Sequence, residues 1–202
     1  MFRSKTVFIV GAGASCEAGL PSGEKLKGDI AGLLDIEFED GWSQSSGDHQ
    51  IAHVLRQAGN GNINPYLAKA WRIRDVVPAA AISIDNFLDA HRGDEMMELC
   101  GKLGIVKSIL NAESSSKLSN HERGESRFSL RSLADTWYVN FLQMLTESVP
   151  KDEAASIFDN VGIVTFNYDR CIERFLVQAL GDYYDLTEQE SESIVSTLQI
   201  IH

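Results

Sequence analysis

The sequence has few cysteines, few basic residues and no long apolar run. Its three cysteines, Cys16, Cys100 and Cys171, are far apart and form no CxxC pair, so a four-cysteine zinc site is excluded and a cytoplasmic location is expected. No apolar stretch approaches the ~20 residues needed to span a bilayer. Lys and Arg number 18 against 29 Asp and Glu, for a formal net charge of −11, which disfavours binding to nucleic acids and anionic membranes.

The rest of the composition is that of a folded α/β protein. Hydrophobic residues make up 44% of the 202 residues, a length that suits one domain, residues 1–202, with a sizeable insertion. Continuous apolar runs at 6–10, 161–166 and 198–201 predict strands, and the first two are typical of parallel strands buried on both faces. Helical patterns lie between them, so we expect a Rossmann-like parallel sheet with helices on both faces.

The middle of the chain is less regular. Residues from about 33 to 127 are interpreted as a helical insertion with loops, and residues 128–202 as the return to the Rossmann-like core. Over 128–145 apolar residues recur every three or four positions, which predicts one long amphipathic helix with an aromatic stripe in the core. Thr187 and Glu190 have the spacing of a capping box and predict the start of a later helix.

Each predicted strand ends in a polar motif, and parallel neighbours would bring the three motifs together. The first is a glycine loop, which suits a diphosphate at a helix N-terminus. Its alternative is a tight turn without a ligand. Asn167 and Asp169 follow the second strand, where helix capping is the alternative, and His202 follows the third, where an ordinary exposed residue is the alternative. The motif members are Gly11, Ala12, Gly13, Ala14, Ser15, Thr165, Asn167, Asp169 and His202.

Together these segments resemble the sirtuin-like family of NAD-consuming domains. Residues 10–15 with 19–22 are similar to the family's GAGxS…G[IL]P loop, residues 165–169 to its TxNxD motif, and residues 200–202 to the strand that ends in the active-site His. The chain lacks the four-cysteine zinc module of the deacetylases, and Ser22-Gly23-Glu24 replaces their Asp-Phe-Arg. Both departures are similar to the zinc-less bacterial branch that hydrolyses NAD in antiviral defence.

The resemblance implies a NAD+ glycohydrolase that cleaves the nicotinamide–ribose bond and needs no metal. Asn167 would fix the ribose and the attacking water, and His202 would be the general base. Asp169 would orient the nicotinamide amide or the Asn loop, while Thr165 and residues 11–15 would bind NAD+. Family members continue past the His with further sheet strands, so we expect a C-terminally incomplete domain with little activity alone. We also expect a homo-oligomer and further domains or partner proteins.

Two other functions remain open. A non-catalytic module of the same fold could sense NAD or an ADP-ribose derivative. A dinucleotide-dependent oxidoreductase is disfavoured, because the GxGxxG motif would need glycine where Cys16 stands. The absence of GxxxxGK[ST] argues in the same way against a P-loop nucleotide hydrolase.

Overall fold

The computed structural model describes residues 2–119 and 128–202. Contacts divide the chain into a sheet unit, Met1–Leu20 with Glu113–His202, and a helical unit, Pro21–Ala112. None of the helices that the structure describes has the length and apolarity required to cross a bilayer. In chain order the helices and strands are β1 (Thr6–Val10), α1 (Ala12–Cys16), α2 (Gly23–Leu34), β2 (Glu37–Glu39), β3 (Ser43–Ser46), α3 (His49–Ala58), α4 (Asn64–Ala80), α5 (Ile84–Ala90), α6 (Glu95–Ser115), α7 (Trp137–Thr146), β4 (Val161–Thr165), α8 (Cys171–Tyr184), α9 (Glu188–Val195) and β5 (Gln199–Ile201).

The sheet unit contains a three-stranded parallel sheet in the order β1-β4-β5, flanked by helices. Val10 pairs with Thr165, and Val164 pairs with Ile201, so all three strands end at nearly the same level. The predicted strands and their parallel pairing are confirmed, and the fold is mixed α/β. This register brings the three polar motifs to one edge of the sheet.

The prediction that β1 is buried on both faces is wrong. Phe8 packs edge-on against Phe141 of α7, with ring centroids 5.0 Å apart, and Val10 is buried. Val7 and Ile9 alternate to the opposite face, where they are 63% and 77% exposed. Apolar, β-branched residues favour a strand, but they do not specify how many of its faces are covered.

The single long helix predicted over 128–145 is also wrong. A 3₁₀ turn at Leu130–Leu133 is followed by Thr136 in an extended conformation (φ −101°, ψ 158°), and α7 begins only afterwards. The Thr136 hydroxyl donates to the carbonyl oxygen of Leu133 at 2.6 Å, a local bond that competes with helical pairing. The core role of the aromatic stripe is confirmed, because Tyr138 and Phe141 are both buried.

The helical unit has its own apolar core, which is built from α2–α6. It also contains the antiparallel β2–β3 hairpin. Glycine allows close packing within it, since a Cβ on Gly104 of α6 would lie 2.8 Å from a side-chain methyl of Ile30. The largest fully buried side chains of this core are Ile30, Leu34, Ile36, Leu55, Ile73, Ile84 and Met97. The sequence predicted helices here but not the hairpin, whose strands are only three and four residues long.

Candidate functional site

The glycine loop turns directly from β1 into the short helix α1. Gly11 is the N-cap residue with extended backbone (φ −114°, ψ 178°), and the N–H of Ala14 donates to its carbonyl oxygen at 2.9 Å. The first N–H groups of any helix lack partners within that helix. Apart from neighbouring residues and the backbone of α1 itself, a Cβ built on Gly11 or Gly13 would meet no atom within 4 Å. The space beside these two glycines, next to the N–H groups of Ala12 and Gly13, is therefore open.

Ser15, at the end of this loop, joins the two motifs that follow β1 and β4. Its hydroxyl donates to Asp169 Oδ1 at 3.0 Å and accepts from Asn167 Nδ2 at 2.9 Å. Because the single hydroxyl proton goes to the carboxylate, the hydroxyl can only accept from Asn167, and this orients the amide. Ser15 is 1% exposed and Asp169 is 7% exposed. We call Ser15, Asn167 and Asp169 the polar cluster.

Asn167 is held from two sides but keeps one polar atom unpaired. Its N–H donates to Thr165 Oγ1 at 3.1 Å, while its Oδ1 is buried without a hydrogen-bond partner among the described residues. Phe166 and Tyr168, on either side, are 77% and 45% exposed. A buried acceptor without a partner is uncommon in native proteins and points to strain, an ordered water or ion, a ligand or a catalytic role.

Helix capping was the alternative role for both Asn167 and Asp169, and their contacts at the start of α8 differ. Arg170 is the N-cap residue of α8 and makes no side-chain cap, but Asp169 Oδ1, one residue earlier, accepts from the N–H of Cys171 at 3.0 Å and satisfies the first N–H of this helix. The Asn167 side chain contacts Ser15 instead. Burial and the nearby Asp169 carboxylate raise the pKa of Cys171, which makes its thiolate scarce and argues against a cysteine nucleophile.

Trp137, which sequence reasoning treated only as core, supports the glycine loop. Its indole Nε1 donates to the carbonyl oxygen of Ala14 at 2.8 Å, and its backbone N–H donates to Glu17 Oε2 at 2.7 Å. The next residue, Tyr138, is buried with its hydroxyl near Ser15, and desolvation raises the pKa of this phenol. No local sequence signal identifies these contacts, which join residues more than 100 positions apart.

His202 follows β5 at the same edge of the sheet, but it contacts a different carboxylate. Its Nε2 lies 3.2 Å from Oε1 of Glu173, and that same oxygen accepts a hydrogen bond from Arg170. The side chains of His202 and Glu173 are 40% and 17% exposed. No described hydrogen bond connects His202 to Asn167. The sequence did not identify Glu173, which lies within an ordinary amphipathic helix pattern.

The edge thus combines backbone N–H donors beside open space, a buried amide–carboxylate cluster and an imidazole paired with a carboxylate. These groups could bind an anion, fix a polar ligand and accept a proton. Among residues 2–119 and 128–202, no group of three or more His, Cys, Asp or Glu side chains is placed to hold a metal ion. No protein-family model, curated protein or solved structure matches the chain.

Proposed function

We propose that this chain is a sirtuin-like, Rossmann-like NAD+ glycohydrolase that cleaves the nicotinamide–ribose bond. The observation that carries the proposal is the polar cluster, which lies beside the glycine loop where β1 and β4 end. In open α/β sheets ligands bind at this edge. A role in antiviral NAD depletion rests on the sequence resemblance alone, and the proposed cytoplasmic location rests on the three isolated cysteines.

In the proposed reaction each group at the edge has one task. The N–H groups of Ala12 and Gly13 bind the diphosphate of NAD+. Asn167 Nδ2 is engaged by Ser15, so Oδ1 is left to accept a hydrogen bond from the attacking water or a ribose hydroxyl. Because Oδ1 is buried in the structure, the loop around Asn167 must shift when NAD+ binds.

Bond cleavage passes through an oxocarbenium-like transition state, with positive charge on the ribose. The glycosidic electron pair leaves with neutral nicotinamide, and the water oxygen forms the new bond to the ribose carbon. His202 accepts the proton of that water as general base. The products are nicotinamide, ADP-ribose and one proton. The Asp169 carboxylate holds Ser15 and therefore the orientation of the Asn167 amide.

A non-catalytic NAD or ADP-ribose sensor is the second candidate. It is favoured by the separate environment of His202, which contacts Glu173 and is 40% exposed at its side chain. A sensor needs the glycine loop and the polar cluster for binding, but it needs no general base.

Nicotinamide release from NAD+, measured by chromatography on the full-length protein, separates the candidates. We expect Asn167→Ala and His202→Ala each to lower turnover by about 10²-fold or more while NAD+ binding changes less. His49→Ala, an exposed histidine of the helical unit, is the matched control and should leave turnover unchanged. NAD+ binding without nicotinamide release would favour the sensor, and full turnover in both variants would place the chemistry elsewhere.

A further inference from the structure

Glu173 links the helix that follows the polar cluster to the end of β5. It lies in the first turn of α8, two residues after Cys171, whose N–H is capped by Asp169. The two carboxylates point to different partners, since Asp169 accepts from Ser15 whereas Glu173 contacts His202 and Arg170. The same helix start therefore organises both proposed catalytic side chains.

The contact with Glu173 determines which imidazole nitrogen can act as a base. A neutral imidazole has one N–H donor and one acceptor nitrogen, whereas an ionised carboxylate only accepts. When Nε2 donates to Glu173, the lone pair remains on Nδ1. Arg170 donates to the same carboxylate oxygen, which restrains the Glu173 side chain and keeps a positive charge beside it. The Arg170 side chain is 70% exposed, and an ion pair at the surface adds little stability, so its removal should affect function more than folding.

We infer that Glu173 is a positioning residue that fixes the ring orientation and tautomer of His202. The inference rests on the proposed hydrolase function, because it assigns a partner to the proposed general base. Glu173 acts through His202 and does not touch the reacting atoms. A misplaced base lowers the rate of the chemical step, while binding through the glycine loop, which Glu173 does not hold, is retained.

The kinetic test compares Glu173→Ala, Glu173→Gln and a control in the full-length protein. We expect Glu173→Ala to lower kcat about 10-fold to 10²-fold with KM for NAD+ within about twofold. Glu173→Gln retains an acceptor oxygen and should restore part of kcat. The control is Glu188→Ala. Glu188 is also a first-turn carboxylate paired with an arginine, Arg174 at 3.6 Å, but it contacts no histidine among the described residues. This control variant should match the wild type.

A double-variant cycle tests whether Glu173 acts through His202. In a His202→Ala background, Glu173→Ala should change kcat less than about twofold, because the two variants remove the same function. The NMR signals of the His202 ring should shift in Glu173→Ala and not in Glu188→Ala, whether or not the protein is active. Additive kinetic effects, or an unchanged His202 spectrum, would overturn the role of Glu173. A wild-type protein that releases no nicotinamide would instead overturn the proposed function.

Discussion

Replacing Ser15 by alanine would test the polar cluster as a structural unit, without reference to any ligand. The Ser15 hydroxyl makes two hydrogen bonds, one to the Asp169 carboxylate and one from the Asn167 amide, and the residue is 1% exposed. Alanine is smaller, so the change creates no steric clash. Asp169 keeps its bond from the Cys171 N–H, but the Asn167 amide loses its partner.

The size of the effect follows from these two bonds. A hydrogen bond to a charged group contributes about 1.5–3 kcal/mol and one between neutral groups about 1 kcal/mol. Asn167 is half-buried, so water can partly replace the lost partner of its amide. We therefore expect Ser15→Ala to lower the free energy of unfolding by about 2–4 kcal/mol.

Urea unfolding followed by circular dichroism measures this free energy from the midpoint and the slope. Ser191→Ala is a matched control, because Ser191 of α9 is completely buried and its hydroxyl has no hydrogen-bond partner among the described residues. Removing that hydroxyl breaks no hydrogen bond and removes an unpaired buried group, so it should not lower the free energy of unfolding and should raise it by about 1–3 kcal/mol at most. If Ser15→Ala costs no more than Ser191→Ala, the polar cluster does not stabilise the fold and the reasoning is refuted.

Two further variants examine the glycine loop. Gly13→Val should abolish NAD+ binding, measured by calorimetry, yet leave the fold intact, because its side chain would enter open space beside the N–H donors. The control is Gly28→Val in α2, where the glycine is exposed and a Cβ would have equally open space; this variant should bind NAD+ normally. If Gly13→Val and Gly28→Val bind NAD+ equally well, the glycine loop is only a turn and does not bind NAD+. Trp137→Phe keeps an aromatic ring but removes the bond to the Ala14 carbonyl, so the free energy of unfolding in urea should fall by about 1 kcal/mol; no loss would show that Trp137 does not support the loop.

The parts of the fold that were predicted from sequence are those specified by neighbouring residues. Continuous apolar runs placed β1, β4 and β5 to within about a residue. Thr187 and Glu190 form the predicted capping box, with both reciprocal bonds present. These features succeed because strand propensity and capping depend on a few adjacent positions.

Most of the features that were missed depend on contacts between distant segments. The exposed face of β1 at Val7 and Ile9 depends on which elements pack against that strand. The break before α7 is the exception, because it comes with a local bond from Thr136 to Leu133. The sequence predicted which residues would lie at the strand ends, but it did not pair Ser15 with Asp169 or Glu173 with His202. Such pairs lie 154 and 29 positions apart and arise from the fold as a whole.

The unpaired oxygen of Asn167 bears on whether the polar cluster is only structural. A purely structural cluster is most stable when every buried polar atom has a partner, since an unpaired one costs about 1–3 kcal/mol. Here Ser15 orients the amide so that Nδ2 is satisfied and Oδ1 is not. A ligand that donates a hydrogen bond to Oδ1 would remove this cost on binding. The unpaired oxygen that destabilises the free polar cluster would therefore favour binding of the ligand. Consequently, we expect NAD+ to bind more weakly to Ser15→Ala than to the wild type even where both are fully folded, because the amide would no longer be held in that orientation.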